Sequence, residues 1–116
     1  MVHSLLMIAT PIALISSYST SFELKHALKL SKATRLFVDS KLLPLALSVA
    51  KEVGLSHKRI YLLQGSGHGR VKKCFGDMIH EVRSKKISRV EVRPAKNDTL
   101  AYLVFSSGTS GLPKGP

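Results

Sequence analysis

The residues with the clearest chemical purpose lie at the C-terminal end of the sequence. Ser106-Ser107-Gly108-Thr109-Ser110-Gly111-Leu112-Pro113-Lys114-Gly115 combines four hydroxyls, three glycines and one lysine within ten residues. Such a composition suits polyphosphate. Gly108 and Gly111 carry no Cβ, so backbone amides can approach an anion closely. The hydroxyls of Ser106, Ser107, Thr109 and Ser110 can donate to phosphate oxygens, and Lys114 supplies a point charge. The spacing differs from a Walker A loop, which needs Gly before its Lys and Ser or Thr after it; Pro113 and Gly115 stand there.

Other reactive side chains form weaker patterns. Gly65-Ser66-Gly67-His68-Gly69 contains Gly-x-Gly-x-Gly but lacks the following helix and downstream acid of a dinucleotide site, and reads as a loop. The five histidines include no His-x-x-x-His pair, so no metal site is expected. Asp77 and Glu81 share a helix face but have no nucleophile or metal to serve, and a solvated face is the expectation. Cys74 is the single cysteine, which excludes an intramolecular disulfide and a cysteine-based zinc site. It is expected to be a small buried hydrophobe in a reducing, intracellular setting, with a cytoplasmic location.

The decapeptide resembles the phosphate-binding signature of the adenylate-forming enzymes: acyl-CoA synthetases, 4-coumarate–CoA ligases, luciferases and peptide-synthetase adenylation domains. Their pattern, roughly (S/T)SG(T/S)(T/S)GxPKG, matches Ser106 to Gly115 at every defined position. Upstream, SYSTSFELKHALKLSKATRLFVD, Lys58 to Leu63 and Cys74-Phe75-Gly76-Asp77-Met78-Ile79 also resemble family segments, and they occur in the family's order. The flavour is closest to fungal 4-coumarate–CoA ligase-like proteins. By this resemblance Ser106, Ser107, Gly108, Thr109, Ser110, Gly111 and Lys114 surround the β- and γ-phosphates of ATP. The family condenses ATP with a carboxylic acid, releases pyrophosphate with Mg²⁺, and usually passes the acyl group to coenzyme A.

The resemblance also implies what lies elsewhere. The adenine- and acyl-binding region, the metal- and ribose-binding acids and a mobile domain with a catalytic lysine are expected beyond Pro116, and opening strands before Met1. The expectation is therefore a partial AMP-binding domain over residues 18–116, without ligase activity of its own. Residues 1–17 form an apolar leader or buried strand. A full-length relative can be cytoplasmic or peroxisomal.

The elements that must position the loop follow from local patterning. Leu5 to Ile15 is too short for a membrane span of about 20 residues and is interrupted by Pro11. Without a preceding Lys or Arg it makes a poor secretory signal, and a buried strand or strand-turn is expected. Thr20-Ser21-Phe22-Glu23 has capping-box spacing and opens a helix over Ser21 to Leu30. Thr34 to Asp39 reads as a strand, Ser40 as the cap of a helix through LLPLALSVAKEV, and Gly54 as its stop. Pro44 falls in the first turn, where a missing amide costs little. Arg59 to Leu63 is the next strand. Val71 to Ser84 is a further helix with Phe75, Met78, Ile79 and Val82 inward. Ile87 to Pro94 is a surface connection, Asn97-Asp98 a turn, and Leu100 to Phe105 a last strand. The alternation predicts an α/β fold, a partial parallel-sheet domain resembling part of the N-terminal domain of adenylate-forming enzymes.

Charge supplies the rival function. The net charge is +11, and residues 70–96 hold nine basic and three acidic side chains. A basic nucleic-acid-binding module is one alternative, but Phe75 is the segment's single aromatic and gives no stacking platform. Nucleic acid is therefore not the expected partner, and a solvated basic face is the simpler expectation. A noncatalytic interaction fragment, whose unpaired sheet edges bind a partner, is the other alternative.

Overall fold

A computed structural model of the chain describes residues 1–65 and 73–105. The first apolar stretch divides into a helix, α1 (Val2–Met7), and a strand, β1 (Ile12–Leu14). Of the stretch expected to form a buried strand or strand-turn, Ile12–Leu14 is strand and the part before Pro11 is helix. The residue before a proline is pushed out of the helical region, so α1 cannot run on through Thr10; the chain leaves it through Ala9 at φ 52° and enters β1 just past Pro11.

Helix α2 (Ser21–Ser31) opens with the expected capping box: Thr20 Oγ1 accepts from the Glu23 amide at 3.3 Å, and the Thr20 amide donates to Glu23 Oε2 at 2.7 Å. Those bonds satisfy helix-end donors, and the Thr20 amide, with the Thr20 hydroxyl donating to Glu23 Oε2 at 2.9 Å, holds the Glu23 carboxyl below its usual range. Strand β2 (Leu36–Val38) follows. Asp39, rather than Ser40, then caps the next turn, accepting from the Lys41 amide at 2.9 Å. Ser40–Leu42 is 3-10 helix, and α3 (Leu43–Val53) continues from it with Pro44 in its first turn. Gly54 ends α3 at φ 77°, a conformation that favours glycine. A 3-10 turn (His57–Arg59) leads to β3 (Ile60–Leu62). Helix α4 (Phe75–Ser84) and strand β4 (Tyr102–Val104) are the last elements among the described residues.

Among the described residues the strands form two parallel pairs. β2 lies beside β3 with Phe37 opposite Tyr61, and these rings stack at 5.2 Å. β1 lies beside β4, with Ile12 opposite Tyr102 and Leu14 opposite Val104. The β2–α3–β3 unit contains one core: Ala46 and Ala50 are small enough to bring α3 close to Val38, Ile60, Leu62 and Cys74. The opposite side of α3 buries Val49 against Leu24 and Leu28 of α2, making a second cluster. Lys25 and Glu52 bridge the same helices at 2.6 Å, a surface pair worth little beside the apolar contact.

Cys74 is buried as expected, but it also has a use not evident in its sequence. Its Sγ accepts from the Asp77 amide at 3.3 Å, while its own amide donates to Asp77 Oδ2 at 3.0 Å. It thus caps α4 with a thiol and ties that helix beside β3, where Leu62 and Cys74 form a parallel bridge. The expectation for α4 itself is corrected. Phe75 and Met78 are half-buried, but Ile79 and Val82 are exposed, because no described element covers that side.

Candidate functional site

Ser106, Ser107, Gly108, Thr109, Ser110, Gly111 and Lys114 lie outside the described residues, as does most of the Gly65–Gly69 run. The described chain leading to the decapeptide is β4 and Phe105. In a parallel sheet, ligands gather outside the carboxyl ends of strands. The carboxyl ends of β1 and β4 lie side by side because those strands pair in register.

A cleft of about 300 Å³ opens there, lined by Phe105 together with Leu14, Ile15, Ser16, Tyr18 and Glu23. Its floor is set by the turn after β1. The Ser19 amide donates to the Ser16 carbonyl at 3.2 Å, and the Tyr18 amide donates to Ser16 Oγ at 3.2 Å. The capping box fixes the other end of this turn, so Tyr18 stands 94% exposed beside the cleft. A second cleft of about 200 Å³ shares Ile15, Ser16 and Ser19 and extends over apolar residues to Asp39 and Leu63. Both clefts therefore meet at residues 15–19. The helix-capping signal marked where this turn ends, but the cleft required β4, which is distant in sequence, to lie beside β1.

Around α4 the electrostatics are structural. Glu81 accepts from Lys73 Nζ and from Lys85 Nζ, the latter at 2.7 Å, and this double pairing holds its carboxyl down to about 2. The same contact raises Lys73 above the ordinary lysine range. Asp77 serves the cap of α4, so the two acids act separately rather than as a catalytic pair. Among the described residues no group of three His, Cys, Asp or Glu side chains comes together to hold a metal, and no helix is long and apolar enough to cross a membrane.

The Glu81 clasp gives a testable pH dependence. A carboxyl whose folded value is depressed contributes stability above its unfolded value, and that contribution is lost as the pH falls through the folded value. For Glu81 the window runs from about 4.3 in the unfolded chain down to about 2. Amide exchange in α4 should therefore accelerate across this window in the natural chain. Glu81→Gln should remove that component, and added salt should weaken it because the clasp is exposed. An unchanged acid profile in Glu81→Gln counts against the clasp.

The sequence profile of the AMP-binding enzyme family matches residues 1–115. The chain belongs to that family of AMP-binding enzymes. Its fold matches solved structures of much longer proteins. A natural red-emitting luciferase from Phrixothrix hirtus is 25% identical with a TM-score of 0.77, over 98% of this chain and 28% of that one. The anthranilate CoA ligase AuaEII, solved in complex with anthranoyl-AMP, is 27% identical with a TM-score of 0.73, over 89% of this chain and 19% of that one. A luciferase-like enzyme from the nonluminescent mealworm Zophobas morio shares the fold at 24% identity and a TM-score of 0.70, over 91% and 24% of the two chains. The chain thus spans a quarter or so of the length of these structures. No curated protein matches it in sequence.

Proposed function

We propose that the chain is the phosphate-binding segment of an ATP-dependent acid–CoA ligase of the 4-coumarate–CoA ligase-like kind. In this reading residues 18–116 are part of the adenylating domain and residues 1–17 lead into it. The single observation carrying the proposal is the decapeptide Ser106–Gly115. It follows β4 after the single residue Phe105, and β4 is paired in parallel with β1, in a chain that matches the AMP-binding family over residues 1–115. AuaEII, a CoA ligase that binds an acyl-adenylate, supports the choice of a carboxylic acid as the second substrate.

The chemistry asked of these residues is electrostatic. Amides flanking Gly108 and Gly111, and the hydroxyls of Ser106, Ser107, Thr109 and Ser110, donate to the β- and γ-phosphate oxygens. Lys114 offsets the charge that grows on pyrophosphate as the carboxylate attacks the α-phosphorus. The hydroxyl-rich donor set suits Mg²⁺, which is commonly held through phosphate oxygens and water; when bound, it neutralises the same charge. Coenzyme A accepts the acyl group in a ligase that carries this segment.

The test is binding and exchange with the full chain. Fluorescent ATP with Mg²⁺ should bind weakly. Lys114→Ala should weaken binding about tenfold or more, the effect of losing one charge-assisted contact. An unchanged isotherm removes Lys114 from the site. ATP–pyrophosphate exchange with a panel of aryl and fatty acids should stay at background for this segment alone. Carboxylate-dependent exchange would show that the segment is itself catalytic and overturn that part of the proposal.

A further inference from the structure

The connection from α4 to β4 is built as an open strand edge. α4 closes with Lys86 at φ 49°, and the Ile87 amide donates to the Val82 carbonyl at 3.0 Å. That bond pins the start of the connection. Six residues later the Arg93 amide donates at 2.9 Å to the carbonyl of Met7, the last residue of α1, pinning its far end. Between these anchors the chain runs without turn or bend, and every residue from Ile87 to Arg93 is exposed. Among the described residues, no hydrogen bond engages the backbone amides or carbonyls of Ser88 to Val92.

A segment held at both ends with unspent main-chain donors and acceptors is prepared for strand addition, since part of the ordering cost has already been met by folding. Its sequence fits that use. With a period of two, Ser88, Val90 and Val92 fall on one side and Arg89, Glu91 and Arg93 on the other. Val90 and Val92 are 64% and 61% exposed. From Arg83 to Lys96 there are six basic residues and one acidic one.

We propose that residues 88–92 form a docking edge for an extended, acidic segment of a polypeptide partner. The partner adds as a strand, exchanging main-chain hydrogen bonds with 88–92, and pairs its carboxylates with Arg89 and Arg93 while its aliphatic residues cover Val90 and Val92. Charge complementarity favours an acidic occupant over a second copy of this chain, whose net charge is +11. A nucleic acid would find no aromatic residue between Arg83 and Lys96 on which to stack.

The experiment titrates a short peptide of alternating Glu and Val into the full chain, with amide hydrogen exchange as the readout. Binding should protect the amides of 88–92. Val90→Pro and Glu91→Pro remove donors from opposite edges of the segment and should between them weaken binding at least tenfold. Both positions are exposed and outside the core, so the circular dichroism spectrum should be unchanged. Arg89→Glu with Arg93→Glu should weaken binding to a similar degree. The proposal is overturned if the peptide fails to bind, if neither proline change weakens it, or if the protected amides lie elsewhere. It is equally overturned if phosphatidylserine vesicles or oligouridylate bind at 88–92 more tightly than the peptide.

Discussion

Ile60→Ala should cost about 2–5 kcal/mol of folding stability and lower the urea midpoint accordingly. Ile60 is 1% exposed and begins β3, opposite Leu36 of β2 and beneath Ala46 and Ala50 of α3. Truncation loses transfer energy and leaves a cavity that the surroundings cannot close. The alanines have no longer side chain to move inward, and the parallel backbone register fixes the distance across the strand pair. A domain of this size has about 5–15 kcal/mol of stability in all, so one such loss removes much of it. Urea denaturation of the natural chain and of Ile60→Ala, with Ile60→Val as the milder comparison, measures the effect. Ile60→Val should cost about 0.5–1.5 kcal/mol. A loss below about 1 kcal/mol for Ile60→Ala would show that β3 is not packed as described.

Val49→Asp should be more damaging still, and its effect should depend on pH. Val49 is fully buried between α2 and α3, against Leu24 and Leu28. An ionised carboxylate there would have no partner, and burial of an unpaired charge costs at least about 4 kcal/mol. Desolvation raises the folded-state value of such an aspartate, so the penalty is full above that value. It shrinks as the pH falls toward the unfolded value near 3.9. The sign is opposite to that of Glu81, whose contribution is lost on acidification. Thermal unfolding of Val49→Asp at neutral pH and near pH 4.5 should therefore show partial recovery at the lower pH, while Val49→Ala should show none. Equal destabilisation at both values would place residue 49 in water rather than at the α2–α3 contact.

Both effects have a bearing on the candidate site. α2 begins at the capping box that fixes the turn of residues 16–19, and that turn lines both clefts. α3 fixes β2 against β3, whose carboxyl ends border the second cleft through Asp39 and Leu63. Loss of Val49 packing should loosen the turn beside Phe105 as well as the helices, and hydrogen exchange at Tyr18 and Ser19 would report it.

What the sequence determined by itself was local. Thr20 and Glu23, three residues apart, set the start of α2; Gly54 set the end of α3; Pro11 and Pro44 limited where helix could continue. These signals act through backbone groups a few residues away, so they can be read without knowing the rest of the fold. The types and spacing of Ser106 to Lys114 were likewise legible, and they carry the family resemblance that the match over residues 1–115 bears out. Tertiary structure alone decided that β1 pairs with β4 while β2 pairs with β3, and that the clefts open at the first pair's carboxyl ends. It also made Cys74 a helix cap and left Ile79 and Val82 of α4 uncovered. The physical reason is that periodicity states which face of an element is apolar but not which element covers it. That choice is made among residues distant in the chain, where loop closure and burial compete and no local pattern records the winner.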